Sequence, residues 1–249
     1  MPADPVFQEL KKSGRKIRDG FALAGIGLLI ALPRIYHQSY YFFPDYLKTP
    51  PSPQLLRVLF LYHILLTFGV LFVMILIGAY SCQRAGIKPF VFKGLKKFLL
   101  AVFLGAFLIP FGYIFSDHLL LFLLPDYYPQ NIWLNLVYPL SSSFPDELFA
   151  RYGFLSLWLW IIGKTPLRKN LANFLTSLLL TALSWQELLR YIPLPLKPSE
   201  WGFLLAGVFL KHLLLGEVYF RYGYWQSFGL RLGMELRFPL YFWLFRLPL

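Results

Sequence analysis

The chain has 249 residues, of which 57% are hydrophobic, 20% aromatic and only 14% charged. A soluble domain carries about a quarter charged residues, so this composition excludes a water-soluble globular protein and points to an all-α, polytopic membrane bundle. The apolar runs are continuous rather than alternating, which argues against a β-barrel.

The net charge of +12 lies largely in short flanks beside those runs: Lys11 to Arg18, Arg84 to Lys97 and Lys164 to Lys169. That is the pattern of cytoplasmic loops in a multi-pass cell-membrane protein with a cytoplasmic N-terminus. The basic clusters are not interleaved with a soluble fold, so nucleic acid is not an expected partner, whereas membrane lipid is. The single cysteine, Cys82, excludes an intramolecular disulfide.

In chain order, residues 1–20 read as a basic cytoplasmic tail. Phe21 to Leu32 is apolar but short, and spans a bilayer only if Pro33 to His37 continue it. Ala31-Leu32-Pro33-Arg34 is no small-residue cleavage site, so the run is kept as a span rather than a signal peptide. Pro33 to Gln54, rich in Pro, Tyr and Phe, reads as an interfacial aromatic segment. Leu55 to Ser81 is a span, with His63 expected in an interfacial or hydrogen-bonded place. A basic loop to Lys97 closes this N-terminal part, residues 21–97.

Residues 98–249 form the expected membrane core. Phe98 to Leu124 is a span kinked at Pro110, with Asp117 and His118 expected at its far rim. Ile132 to Ile162 exceeds the roughly 20 residues of one straight span. Pro139 and Ser141-Ser142-Ser143-Phe144-Pro145 predict a polar break at membrane depth and a second helix starting at Pro145. Leu171 to Leu189 and Trp201 to Phe220 are further spans, and Tyr224 to Leu247 a final amphipathic helix. About seven spans result.

Polar groups gather inside these C-terminal spans. Ile132 to Ile162 holds only three charges: Asp146, Glu147 and Arg151. A charge in hydrocarbon costs several kcal/mol unless paired or facing a polar cavity, so it is a functional candidate by default. Glu147 and Arg151 share a helix face at i, i+4, as do Arg231 and Glu235. Ser184, Gln186, Glu187, His212 and Glu217 complete the constellation. Three readings stay open: a carboxylate that activates water, an acid–arginine clamp between helices, and a polar transport path. No His or Cys cluster has metal-ligand spacing, and no cofactor is expected.

The stretch Asp146-Glu147-Leu148-Phe149-Ala150-Arg151-Tyr152-Gly153-Phe154 resembles the Glu-Glu-x-x-x-Arg motif of the CPBP family, the CAAX proteases and bacteriocin-processing enzymes. Arg221-Tyr222-Gly223 resembles the family's later Arg-x-Gly step. The likeness covers residues 98 to 237, and Asp stands in the first acidic place. Ser184 and Arg231 stand where the family has histidines, and Glu235 where it has Asn or Asp. The resemblance implies an intramembrane endopeptidase fold and a membrane-bound or lipidated peptide or protein substrate. Asp146 and Glu147 would be the water-activating acids, held by Arg151. The replaced histidines leave a second expectation, a pseudoprotease of the same fold that binds a membrane partner.

Overall fold

The computed structural model describes residues 5–42, 44, 51–192 and 196–245, and their regular structure is entirely helical. Helix α1 (Pro5–His37) runs through Pro33 and continues as wide π turns over Gln38–Phe42. This continuation supplies the length that the apolar run 21–32 lacks. The aromatic segment after Pro33 is therefore helical as far as Phe42, while residues 43 and 45–50 of it lie outside the described residues.

Helix α2 (Pro53–Ala85) starts where the Ser52 hydroxyl accepts a hydrogen bond from the Leu55 amide at 3.2 Å. It ends at Gly86, whose φ of 70° lets its amide turn back on the last carbonyls. Helix α3 (Leu95–Phe107), the short α4 (Ile109–Gly112), a π turn at Tyr113–Asp117 and α5 (His118–Leu123) follow one path, interrupted at Leu108 just before Pro110.

The structure corrects the expected break at Ser141 to Pro145. Helix α6 (Ile132–Glu147) is continuous through Pro139 and Pro145, so Asp146 and Glu147 close a helix rather than open one. The hydroxyls of Ser141 and Ser142 donate back to the carbonyls of Tyr138 (3.0 Å) and Pro139 (3.3 Å), which makes a polar run compatible with a helix. The irregularity comes just after it, as π turns over Leu148–Leu155, followed by α7 (Ser156–Ile162).

The chain then forms α8 (Arg168–Tyr191), α9 (Pro198–Tyr222), α10 (Tyr224–Glu235) and α11 (Arg237–Phe245). The expected single C-terminal helix is thus two, separated at Leu236, and residues 246–247 of it lie outside the described residues.

Helix α6 is the hub. It packs on α1, α10 and α11, and its π-helical continuation packs on α2, α8 and α9. Small residues let backbones meet where these helices cross. A Cβ added to Gly105 on α3 would lie 2.9 Å from the Cα of Gly233 on α10, and the reverse holds too. One added to Gly78 on α2 would lie 2.9 Å from the Tyr152 carbonyl carbon.

Four helical stretches among the described residues are long and apolar enough to cross a membrane: Lys16–Phe42, Pro53–Ala85, Leu95–Leu123 and Pro198–Tyr222. Large apolar side chains such as Leu65 (72% exposed) and Phe122 (79%) stand on the outer surface. Water would oppose such a surface and lipid accepts it. The chain has the makings of a helical membrane protein.

The basic flanks meet at one end. Lys16 hydrogen-bonds Gln83, the Arg84 guanidinium lies 4.5 Å from the Tyr80 ring and 5.5 Å from Trp160, and Lys93 donates to the Arg221 carbonyl at 3.0 Å.

Candidate functional site: a buried ion network

The site is assembled by α6 bringing two acids against arginines from α1, α10 and its own continuation. The Arg34 Nη1 on α1 donates to Asp146 Oδ1 at 2.7 Å. The Arg231 Nη2 on α10 donates to the other oxygen, Asp146 Oδ2. Both carboxylate oxygens are therefore engaged by guanidinium groups. Asp146 keeps 31% of its side chain exposed and lines a cavity of about 270 Å³ with Arg34, Gln38, Thr67 and Phe149.

Glu147 lies deeper, with none of its side chain exposed. Its Oε2 accepts the Ser227 hydroxyl at 2.6 Å and stands 3.8 Å from Arg151 Nε, while its Oε1 stands 3.6 Å from Arg231 Nη1. These two ion pairs are longer than a direct hydrogen bond. Glu147 Oε1, Arg151 Nε and Nη1, and Arg231 Nε make no hydrogen bond among the described residues.

Arg151 also reaches α9, where its Nη2 is 3.1 Å from His212 Nδ1. A guanidinium can only donate, so Nδ1 accepts and the neutral ring carries its proton on Nε2. His212 is thus anchored to the arginine and not to either acid.

The network extends through α10 into α11. Arg231 Nε is 3.9 Å from Glu235 Oε1, and Glu235 Oε2 is 3.2 Å from Arg237 Nη2. Arg237 pairs with Asp117, which also accepts the hydroxyls of Tyr241 (3.1 Å) and Tyr128 (3.3 Å). Asp117 was expected at a rim and is instead fully buried. The π turn over Tyr113–Asp117 carries it to the bundle interior, while its neighbour His118 is exposed and bonds the Tyr113 carbonyl at 2.9 Å.

Of the six residues that the family resemblance picks out, five come together: Asp146, Glu147, Arg151, Arg231 and Glu235. Ser184 does not join them. It is half-buried on α8 and makes no hydrogen bond to the network among the described residues. Gln186 beside it is exposed, and the Glu187 side chain lies outside the described residues. Arg231 is committed to Asp146, Glu147 and Glu235.

Arg34, Arg237 and Asp117 were missed as site members. Arg34 carried a signal, a lone cation after Pro33 at the end of an apolar run, but its partner is 112 positions away. Among the described residues, no group of three or more His, Cys, Asp or Glu side chains is placed to hold a metal ion. No family model, curated protein or solved structure matches the chain.

Proposed function

We propose that this chain is a non-catalytic membrane protein with a CAAX-protease-like architecture, a pseudoprotease whose buried ion network clamps the helices around a partner-binding cavity. The carrying observation is that both oxygens of Asp146 are held by guanidinium groups, from Arg34 and Arg231. A general base has to reach the proton it abstracts, and here each carboxylate oxygen already accepts from a fixed cation. The one histidine of the region, His212, bonds Arg151 instead of an acid. The cavity lined by Gln38, Thr67, Asp146 and Phe149 offers the mixed polar and apolar wall suited to a membrane-embedded peptide segment.

A second reading, a divergent CAAX-type endopeptidase, draws on two observations. Asp146 faces that cavity, and the buried Glu147 Oε1 makes no hydrogen bond. In that reading Asp146 and Glu147 activate water for hydrolysis of a lipidated peptide.

The count of about seven spans belongs to the same proposal. It requires that the α6–α7 path, α8 and the α10–α11 pair cross the bilayer beside the four apolar stretches. The basic end, with Lys16, Arg84 and Lys93, then faces the cytoplasm of a cell membrane.

The test is cleavage of a farnesylated CAAX reporter peptide by the purified protein in liposomes. The clamp reading expects no cleavage that depends on Asp146. Cleavage lost in Asp146→Ala while the protein stays folded overturns it and installs the endopeptidase.

A further inference from the structure

We propose that a second cavity, beside Lys211, binds the carboxylate head of a single-chain acyl lipid. This inference goes beyond the clamp reading and does not depend on it. The cavity lies between α9, the π turn at Tyr113–Asp117 and the α10–α11 junction, has a volume of about 230 Å³, and is distinct from the cavity at Asp146.

Charge is the first argument. The network sets four arginines, Arg34, Arg151, Arg231 and Arg237, against four carboxylates, Asp117, Asp146, Glu147 and Glu235, and Lys211 beside it is a fifth cation. Each of the four arginines stands in an ion pair with one of those carboxylates. Lys211 enters none of the pairs and makes no hydrogen bond among the described residues, although it lines the cavity together with Asp117, Glu235 and Arg237. It sits midway along α9, a stretch apolar enough to span a membrane. A surplus cation at that depth calls for an anion, and a single negative charge is the complement this network lacks.

The walls are the second argument. Apart from Ser116 and its charged residues the cavity is lined by apolar side chains and glycine, and Phe111 (52% exposed), Leu210 (51%) and Leu214 (39%) also stand on the outer surface of the bundle. In a bilayer that surface is hydrocarbon, so the ligand enters sideways with its tail left among lipid chains. The volume falls below that of ordinary drug-sized pockets, roughly 300–1,000 Å³. It fits one head and the start of one chain rather than a two-chain headgroup.

The experiment uses the full chain in phosphatidylcholine nanodiscs and a photoactivatable diazirine analogue of oleic acid. Labelling is mapped to peptides from residues 108–116 and 207–214. Wild-type protein is expected to be labelled there and protected by oleate, but not by oleyl alcohol or acetate at the same concentration. Lys211→Met is expected to lower labelling about tenfold, the loss of one charge-assisted hydrogen bond, and Lys211→Arg to retain it. Equal protection by oleyl alcohol shows that the chain alone is recognised and overturns the proposal. Equal protection by acetate reduces the site to a small-anion site and overturns it too. Undiminished labelling of a folded Lys211→Met protein does the same. If that variant does not fold, the competition series on wild type and Lys211→Arg decides.

Discussion

Arg231 and Asp146 are 85 positions apart in the chain and form an ion pair that ties α10 to α6. Arg34 takes the second oxygen of the same carboxylate and ties in α1. One side chain therefore joins three helices, and Arg231, which also faces Glu147 and Glu235, contributes to the charge balance of three carboxylates at once. Breaking a fully buried pair costs about 3–5 kcal/mol, and this one should cost less, because Asp146 is 31% exposed and keeps Arg34. Arg231→Met is expected to lower the detergent melting temperature sharply, measured by thermal unfolding. The double variant Asp146→Asn/Arg231→Met is expected to be less destabilised than the sum of the two single variants, since they share one interaction.

The far arm of the network makes a parallel case. Asp117 is fully buried and accepts from Arg237, Tyr128 and Tyr241. Asp117→Ala removes the acceptor that these three donors share, leaving Arg237 with Glu235 alone among the acids, and should cost several kcal/mol. His118→Ala next to it, on the exposed side, should change the melting temperature little. Thermal unfolding of the two variants side by side checks the contrast.

Backbone contact at Gly105 and Gly233 sets how closely α3 and α10 approach, and with them the position of Arg231. Gly233→Leu is expected to push the helices apart and abolish monodisperse protein on gel filtration. Gly25→Leu, at a glycine with nothing within 4 Å of an added Cβ, should be tolerated.

Cys82 gives an internal probe for these measurements. Its thiol is buried and donates to Ser156 Oγ at 3.1 Å, bridging α2 to α7. It should react with a maleimide dye only on unfolding, so labelling should rise at the same temperature as loss of helicity. Fast labelling of the folded protein at ambient temperature contradicts the α2–α7 packing.

Local signals carried over from sequence to structure. The i, i+4 pairs Glu147–Arg151 and Arg231–Glu235 depend only on helical spacing, and both form, at 3.8 and 3.9 Å. The interruption of the helix at Leu108, two residues before Pro110, likewise follows from one residue's chemistry. What depended on three-dimensional partners was hidden. Arg34 and Arg237 look like ordinary flanking cations until the fold supplies Asp146 and Asp117. Prolines and serines in α6 looked like a break because sequence spacing does not show that hydroxyls will return to the helix carbonyls. Ser184 was placed by motif register alone, and register does not fix which way a helix face turns.

The most direct measurement is the melting temperature of Asp146→Asn against wild type in the same detergent, which needs no knowledge of a substrate. A clamp is built for stability, so this variant, which keeps the size but removes the charge that Arg34 and Arg231 share, should melt well below wild type. Catalytic acids are commonly held at a cost to stability. If Asp146→Asn melts at or above the wild-type temperature, the clamp is contradicted.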